Sequence, residues 1–547
     1  VAVELLHQTD VYQGLSSDTK PTPELPGATF LELDTLELFQ YSGTHGWMHK
    51  EAHVVIEAPH TAYGEVSVAQ LTPIVTESFA YSVNPRLVNS LTANSGTNTV
   101  SGSLLTCSSG TTTASDAILT SALDAKHHEG QGNVSRFDAI FAAAGVSGTS
   151  AWIGPGNQED GVKVGYNGTA FSILHRYGGK VEFRTLTFTT GAVTASGTIT
   201  IQLDGVSTEV EVVQNDSVQA VARAMGAVTF PEWETQVIGA DVVFISHHAE
   251  AKAGSFSFVD TDTTGTAATA GLVQSITGVA PTEDFYAQTV WNQDNLDGGA
   301  DADNPSGINL AIDKGNAWEV QYQGGFGSIE ISIEDPETGK PVHVHEITWG
   351  NTKTAVQLQN PTLPIGVEVN NGATTSDIVI KTSTMMTATE GQIDEAREGL
   401  PNSTSGSFAG DATTEVAIIA IKSKPIFQGV ANRIEVAPKL LTIDGNGAGA
   451  AKFHTFRVRL NPILGGNPSF TDLATATSTL AVDVAGTTVS GGFLALTLVG
   501  GKVYSPAPID VTDIAVDLPP GTLIVVTVET DGGTTDADAG FLLRELF

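Results

Sequence analysis

Four aspartates crowd one short glycine-bearing stretch, Asp294-Asn295-Leu296-Asp297-Gly298-Gly299-Ala300-Asp301-Ala302-Asp303-Asn304. Carboxylates from Asp294, Asp297, Asp301 and Asp303 in such a loop suit a structural calcium, though the spacing is not that of an EF-hand, and the alternative is a solvated acidic loop. His343 and His345 stand two apart in Val342-His343-Val344-His345-Glu346, which predicts both imidazoles on one face of a strand. Zinc would need at least one more ligand and an ordered surround. No such partner is identifiable, so a solvated or subunit-facing strand is the expectation. The adjacent pairs His127-His128 and His247-His248 point their rings apart on a strand. Cys107 is the only cysteine, excludes an intrachain disulfide, and reads as a small buried side chain in Leu104-Leu105-Thr106-Cys107-Ser108.

Enzyme signatures are missing. There is no Gly-x-Ser-x-Gly elbow, no phosphate-cradling loop with lysine and no His-Glu-x-x-His. Acids from distant strands can still meet as a pair for glycoside cleavage, so a polysaccharide hydrolase stands as the alternative to a non-enzymatic protein. Sugar can also be held by aromatic stacking. All six tryptophans, from Trp47 to Trp349, precede the last third of the chain. Most are expected in cores, and a glycan platform, if present, falls in the middle of the chain with Trp152 and Trp291 as its candidates.

The elements that must position these residues are strands. Apolar residues recur at spacing two in short runs, punctuated by 58 glycines, which is the pattern of strands joined by tight turns. Residues 161–166 and 170–174 flank Asn167-Gly168, and residues 198–203 and 206–213 flank Asp204-Gly205; both pairs predict type I′ hairpins. After the second comes the clearest helix: Asp216 as cap, Gln219 completing a capping box, Val218, Val221, Ala222 and Met225 as the apolar stripe, and Gly226 as the stop. The fold class expected is mainly β: tandem β-sandwich or jelly-roll domains with a small inserted α+β domain. The domains read as an N-terminal module at 1–75, a discontinuous sandwich at 76–184 and 284–390, the insert at 185–283, a polar linker at 391–410 and a second sandwich at 411–547.

The N-terminal module carries the most specific pattern. Pro21, Pro23 and Pro26 hold an extended lead-in, then Phe30, Leu31 and Leu33 form one strand, Asp34-Thr35 a turn, and Leu36, Leu38, Phe39 and Tyr41 the next. Residues 43–46 turn the chain so that Trp47 closes a small core. The order Thr19-Lys20-Pro21-Thr22, Pro26-Gly27-Ala28-Thr29-Phe30, Asp34-Thr35, Tyr41, Trp47 resembles a short module of tailed-bacteriophage virion proteins; Leu36 stands where that pattern has glycine. Residues 62–73, 81–85, 161–179, 333–339 and 360–364 are similar to phage and giant-virus structural proteins. The resemblance implies a virion component, a multimeric fibre or appendage that docks to other virion proteins through Pro21, Pro26, Phe30, Tyr41 and Trp47. A trimer is the favoured homo-oligomer, and a host-surface glycan is the outward partner. A capsid-decorating head fibre or minor capsid protein is the alternative.

Charge bounds the partners. With 25 basic and 61 acidic residues the net charge is −36, which repels phosphate backbones and excludes general nucleic-acid binding. No window approaches the ~18–20 apolar residues of a membrane span, and the first residues lack a basic stretch followed by an apolar one. The resemblance implies the virion as the setting, assembled in the host cytoplasm and released by lysis, and no cofactor is expected beyond the calcium considered above.

Overall fold

The computed structural model describes residues 11–22, 28–33, 38–41, 47–49, 71–128, 130–142, 144–190, 193–260, 267–268, 272–299, 302–391, 399–447, 453–466, 468–501, 503–504, 508–512 and 518–546. Their regular structure is nearly all strand, with one α-helix among them. The chain divides into two compact units, Val1–His60 and Thr61–Phe547.

In the first unit, Val11–Gly14, Thr29–Glu32, Leu38–Tyr41 and Trp47–His49 form a four-stranded sheet in that spatial order, parallel at the first pair and antiparallel at the others. Its inward positions on the second strand are Phe30 and Glu32, both buried, whereas Leu33 lies beyond the strand and is exposed. Glu32 tolerates the inward position because Lys20 neutralises it at 2.5 Å. The turn at Asp34-Thr35, the 43–46 turn and Pro26 lie outside the described residues.

Among the described residues the second unit holds three large cores and two small ones. The first is a two-sheet sandwich. One sheet runs Pro341–Ile347, Ile329–Glu334, Asn316–Tyr322, Asn133–Phe141, Val379–Thr382, Leu104–Ser108, Thr97–Ser101, with Thr384–Glu390 and Leu71–Ser78 attached to it. The facing sheet runs Thr282–Ala287, Ala170–Tyr177, Gly161–Asn167, Ser150–Pro155, Ile365–Asn370, Asp116–Ser121, Val88–Ala93. Leu71–Ser78 pairs with Thr384–Glu390, and Val75 is buried in the shared core. Residues 71–75 therefore belong to the sandwich and not to the N-terminal module.

Turn chemistry separates the two predicted hairpins. Asp204 and Gly205 both have positive φ, 51° and 86°, the I′ arrangement. In the other, Asn167 itself pairs with Ala170, so the loop residues are Gly168 and Thr169. Only Gly168 has positive φ there, which is the II′ arrangement with glycine first.

Between Tyr177 and Thr282 the chain leaves the sandwich and builds a smaller α+β domain. One sheet holds Trp233–Ile238, Asp241–Ser246, Phe183–Thr190 and Val273–Ile276; the other holds Val206–Val212, Gly197–Leu203 and Ser257–Asp260. The helix Val218–Gly226 buries Val221, Ala222 and Met225 against them. Its cap is Ser217, whose side chain accepts from the Ala220 N–H; Asp216, the expected cap, accepts from the Val213 N–H.

The last domain is a second two-sheet sandwich. Leu400–Asp411, Thr534–Leu546 and Glu435–Gly447 form one sheet, and Ile463–Gly466, Gly486–Ser490, Val416–Ser423, Leu523–Thr530, Phe453–Leu460 and Phe493–Gly501 the other. The expected linker is corrected here: Leu400–Asp411 pairs along its whole length with Thr534–Leu546. Its serine, threonine and glycine content marks an edge strand that is wet on one side, and only residues 392–398 of that stretch lie outside the described residues.

Candidate functional site

Four of the five expected docking residues meet around one indole. Trp47 packs edge-on against Tyr12 and Phe30, with ring centroids 6.0 and 5.8 Å away, and tilted against Tyr41 at 5.5 Å. Its Nε1–H donates to the Pro21 carbonyl at 2.6 Å. Pro21 has no N–H, so its neighbourhood cannot close a backbone ladder, and the indole satisfies the acceptor instead. Lys20 lies 4.2 Å from the Phe39 ring centre and 5.2 Å from that of Phe30 while pairing with Glu32.

The glycan candidates are corrected. Trp152 is 2% exposed and stacked on Phe285, and Trp291 is 5% exposed among Phe171 and Trp318, its Nε1–H donated to the Tyr286 carbonyl. Neither presents a ring face to solvent. In the acidic stretch, Asp294 is buried and accepts from the Leu296 and Ser306 N–H groups, while Asp297 accepts from the Gly299 N–H and the Asn304 side chain. These are turn-forming contacts. The Asp303 backbone carbonyl accepts from the Asn295 N–H at 2.8 Å, and Asp301 lies outside the described residues. His343 and His345 flank a bulge at Val344. His343 meets Ser332, and His345 lies 4.7 Å from the Tyr286 ring, its pKa pushed down to about 4 by burial. Among the described residues no three His, Cys, Asp or Glu side chains come together so as to hold a metal ion. The Cys107 thiol is buried, which pushes its pKa up and leaves it inert.

A polar cluster that sequence reading missed lies where the first sandwich meets the insert. Glu368, on Ile365–Asn370, receives Lys163 at 2.8 Å and Arg176 at 2.9 Å, and Arg176 also reaches Glu283 at 2.8 Å. Gln158 donates its Nε2–H to Glu368 at 2.5 Å, which leaves Oε1 to face His248 Nδ1 at 3.2 Å. His248 Nε2 faces Asp116 at 2.6 Å. Both imidazole nitrogens thus meet acceptors, an arrangement that favours the imidazolium. The group works as a clasp: His248 comes from the insert, Asp116 and Gln158 from the sandwich. A cleft of about 450 Å³ opens beside it, lined by Asp116, Gln158, Arg176, His248, Glu250 and Glu283 among others.

The neighbouring histidines are tuned in opposite directions. Burial works against the His248 cation, but the hydrogen bond and charge of Asp116 prevail and raise its pKa; burial lowers His247 to about 4. The His248 contribution to stability is therefore complete below the unfolded histidine value and is lost as pH rises through its raised folded value. The His247 contribution is present above the unfolded value and lost as pH falls toward about 4. Imidazole NMR titration of the full chain should show one ring that stays charged above pH 6.5 and one that stays neutral well below it; two ordinary curves would refute the clasp geometry.

No family model and no curated protein matches the chain. Among solved structures, the chain is similar to a crystal structure of a protein of unknown function from Shewanella oneidensis MR-1, at 9% identity and a TM-score of 0.26, covering 59% of this chain and 89% of that one.

Proposed function

We propose that this chain is a structural component of a tailed-phage virion, a multimeric fibre or appendage subunit attached through its N-terminal unit. The observation that carries the reading is the Trp47 cluster. The residues that resemble the virion module, Lys20, Pro21, Phe30, Tyr41 and Trp47, hold one another in a compact unit of their own. On this reading they are the small core behind a docking surface, which the resemblance implies. Deleting residues 1–60 is expected to abolish incorporation into particles while the remainder still folds; normal incorporation would refute the docking role. Labelling on intact particles separates an appendage from a capsid-decorating protein, and sugar release from host envelope material would favour a hydrolase instead.

The strand Phe493–Gly501 supports the multimer. It has no charged residue of its own, pairs with Phe453–Leu460, and exposes Leu494, Val499 and Phe493, the last with the Arg86 guanidinium 3.7 Å from its ring centre. On a chain of net charge −36, like copies repel except where charge is absent, so a second copy of this chain is the occupant we assign to that face. A trimer would require that it meet a different surface of the neighbour. Light scattering should give a multimeric mass for the full chain and a smaller one for Val499→Lys. A variant mass equal to the parent's would remove this face from the contact.

A further inference from the structure

The helix of the insert and the second sandwich enclose a small cleft of about 150 Å³, and its polar groups are unusual for this molecule. Lys422, on Val416–Ser423, is 4% exposed and donates to the Val237 carbonyl. Arg223, on the helix, donates to the Leu464 carbonyl at 2.8 Å. Among the described residues neither makes an ion pair. Lys422 is buried and Arg223 half-buried, whereas the other buried lysines and arginines are paired, Lys163 and Arg176 on Glu368 and Lys252 on Glu250, as is the half-buried Arg433 on Glu159. The acids that influence the two, Asp241 for Lys422 and Asp216 for Arg223, act only through space, and among the described residues no Asp or Glu lines the cleft. In a chain with 61 acidic residues against 25 basic, two cations facing one cavity without a carboxylate call for an anion from outside.

A third group sets what kind. Gln219 precedes Arg223 by one helical turn and so shares its face. Its Nε2–H points to the Pro468 carbonyl at 3.5 Å, and its buried Oε1 has no partner among the described residues. The cleft thus offers the unused N–H groups of Lys422 and Arg223 as donors and one orphaned acceptor.

We propose that this cleft binds a small oxyanion bearing a hydroxyl, of the hydrogen-phosphate class, clamped between Arg223 and Gln219 of the insert and Lys422 of the second sandwich. The anion oxygens accept from the two cations, and the hydroxyl donates to Gln219 Oε1, so one ligand satisfies all three groups. Without it, burial brings the Lys422 pKa down to about 7, and the site loses charge as the amine goes neutral; the anion restores that charge. Because the ligand touches both domains, it fixes the insert against the second sandwich.

The test is titration calorimetry of the full chain with inorganic phosphate, sulfate and chloride at matched ionic strength, with thermal unfolding in parallel. Phosphate should bind and raise the unfolding temperature, sulfate should bind more weakly because it lacks the hydroxyl at neutral pH, and chloride should do neither. Lys422→Met, which removes the charge and keeps the volume, should weaken phosphate binding on the order of thirtyfold or more; Gln219→Leu should narrow the gap between phosphate and sulfate. Absence of phosphate binding to the parent chain overturns the proposal, whatever the variants do. Unchanged phosphate affinity in Lys422→Met overturns it as well, and equal affinity for phosphate and sulfate in the parent overturns the hydroxyl assignment.

Discussion

Replacing Glu368 by alanine is expected to destabilise the first sandwich by on the order of 3–5 kcal/mol, the cost of stranding a buried cation. Lys163 is 1% exposed and Arg176 7% exposed, and Glu368 is the carboxylate they share. Arg176 keeps Glu283 in the variant, so the larger share of the loss falls on Lys163. Burial alone would raise the Glu368 pKa, but Arg176 and Lys163 outweigh it and lower the value to about 2. The folded pKa lies below the unfolded one, so this stabilisation is complete above the ordinary glutamate range and is lost as pH falls from there toward about 2. The alanine variant should therefore lose most near neutral pH, and its deficit should shrink on acidification. Glu368 pairs across the sheet with Trp152, which makes tryptophan emission and hydrogen exchange on Ile365–Asn370 the direct readouts; a global unfolding curve would blend several domains. Adding Lys163→Met to the alanine variant should recover part of the loss, since an apolar side chain of similar volume needs no counter-charge. Stability within about 1 kcal/mol of the parent at neutral pH would show that Lys163 is solvated or neutral in the fold.

That cluster also marks how far the sequence could be read. The mainly-β class follows from local periodicity and turn chemistry, because strand alternation and a pair such as Asp204-Gly205 are decided by adjacent residues. The stripe Val221, Ala222, Met225 is equally local. Glu368 lies 205 residues from Lys163, and no spacing rule connects them. Lys163 alternates with Val162 and Val164, both of them core residues, so its position reads as solvent-facing until another layer covers it. A signal was nonetheless present. A chain this short of cations that places Lys163 and Arg176 inside strands, and not in loops, invites a search for their carboxylates. Trp152 misled for the related reason that it too alternates with a core residue, Ile153, while Phe285 covers its ring. The candidate linker failed differently. Serine, threonine and glycine suit a flexible segment and a wet edge strand alike, and only the partner strand Thr534–Leu546 decides between them.

Replacing Trp47 by alanine should unfold the N-terminal unit and leave residues 61–547 folded. Trp47 joins Tyr12, Phe30 and Tyr41 and holds the Pro21 carbonyl, so truncation removes both the shared ring of the cluster and the donor for a carbonyl in the lead-in. A tryptophan to alanine change in a core costs about 3–5 kcal/mol, and a unit of this size has only about 3–9 kcal/mol in total. A loss that would be tolerable inside the large sandwich is thus comparable to the whole stability of the small unit, whose described strands are only three or four residues long. Limited proteolysis should cut the variant within residues 11–49 at protease levels that spare the parent, with the larger fragment unchanged in mass and in its own unfolding transition. Trp47→Phe keeps a ring but not the N–H, and should sit between the two, which separates the packing share from the hydrogen bond to Pro21. If the alanine variant resists cleavage like the parent, the aromatic cluster does not hold the unit together. If it is cut yet still enters particles at the normal level, attachment does not depend on this fold and the docking role fails with the module intact in the parent.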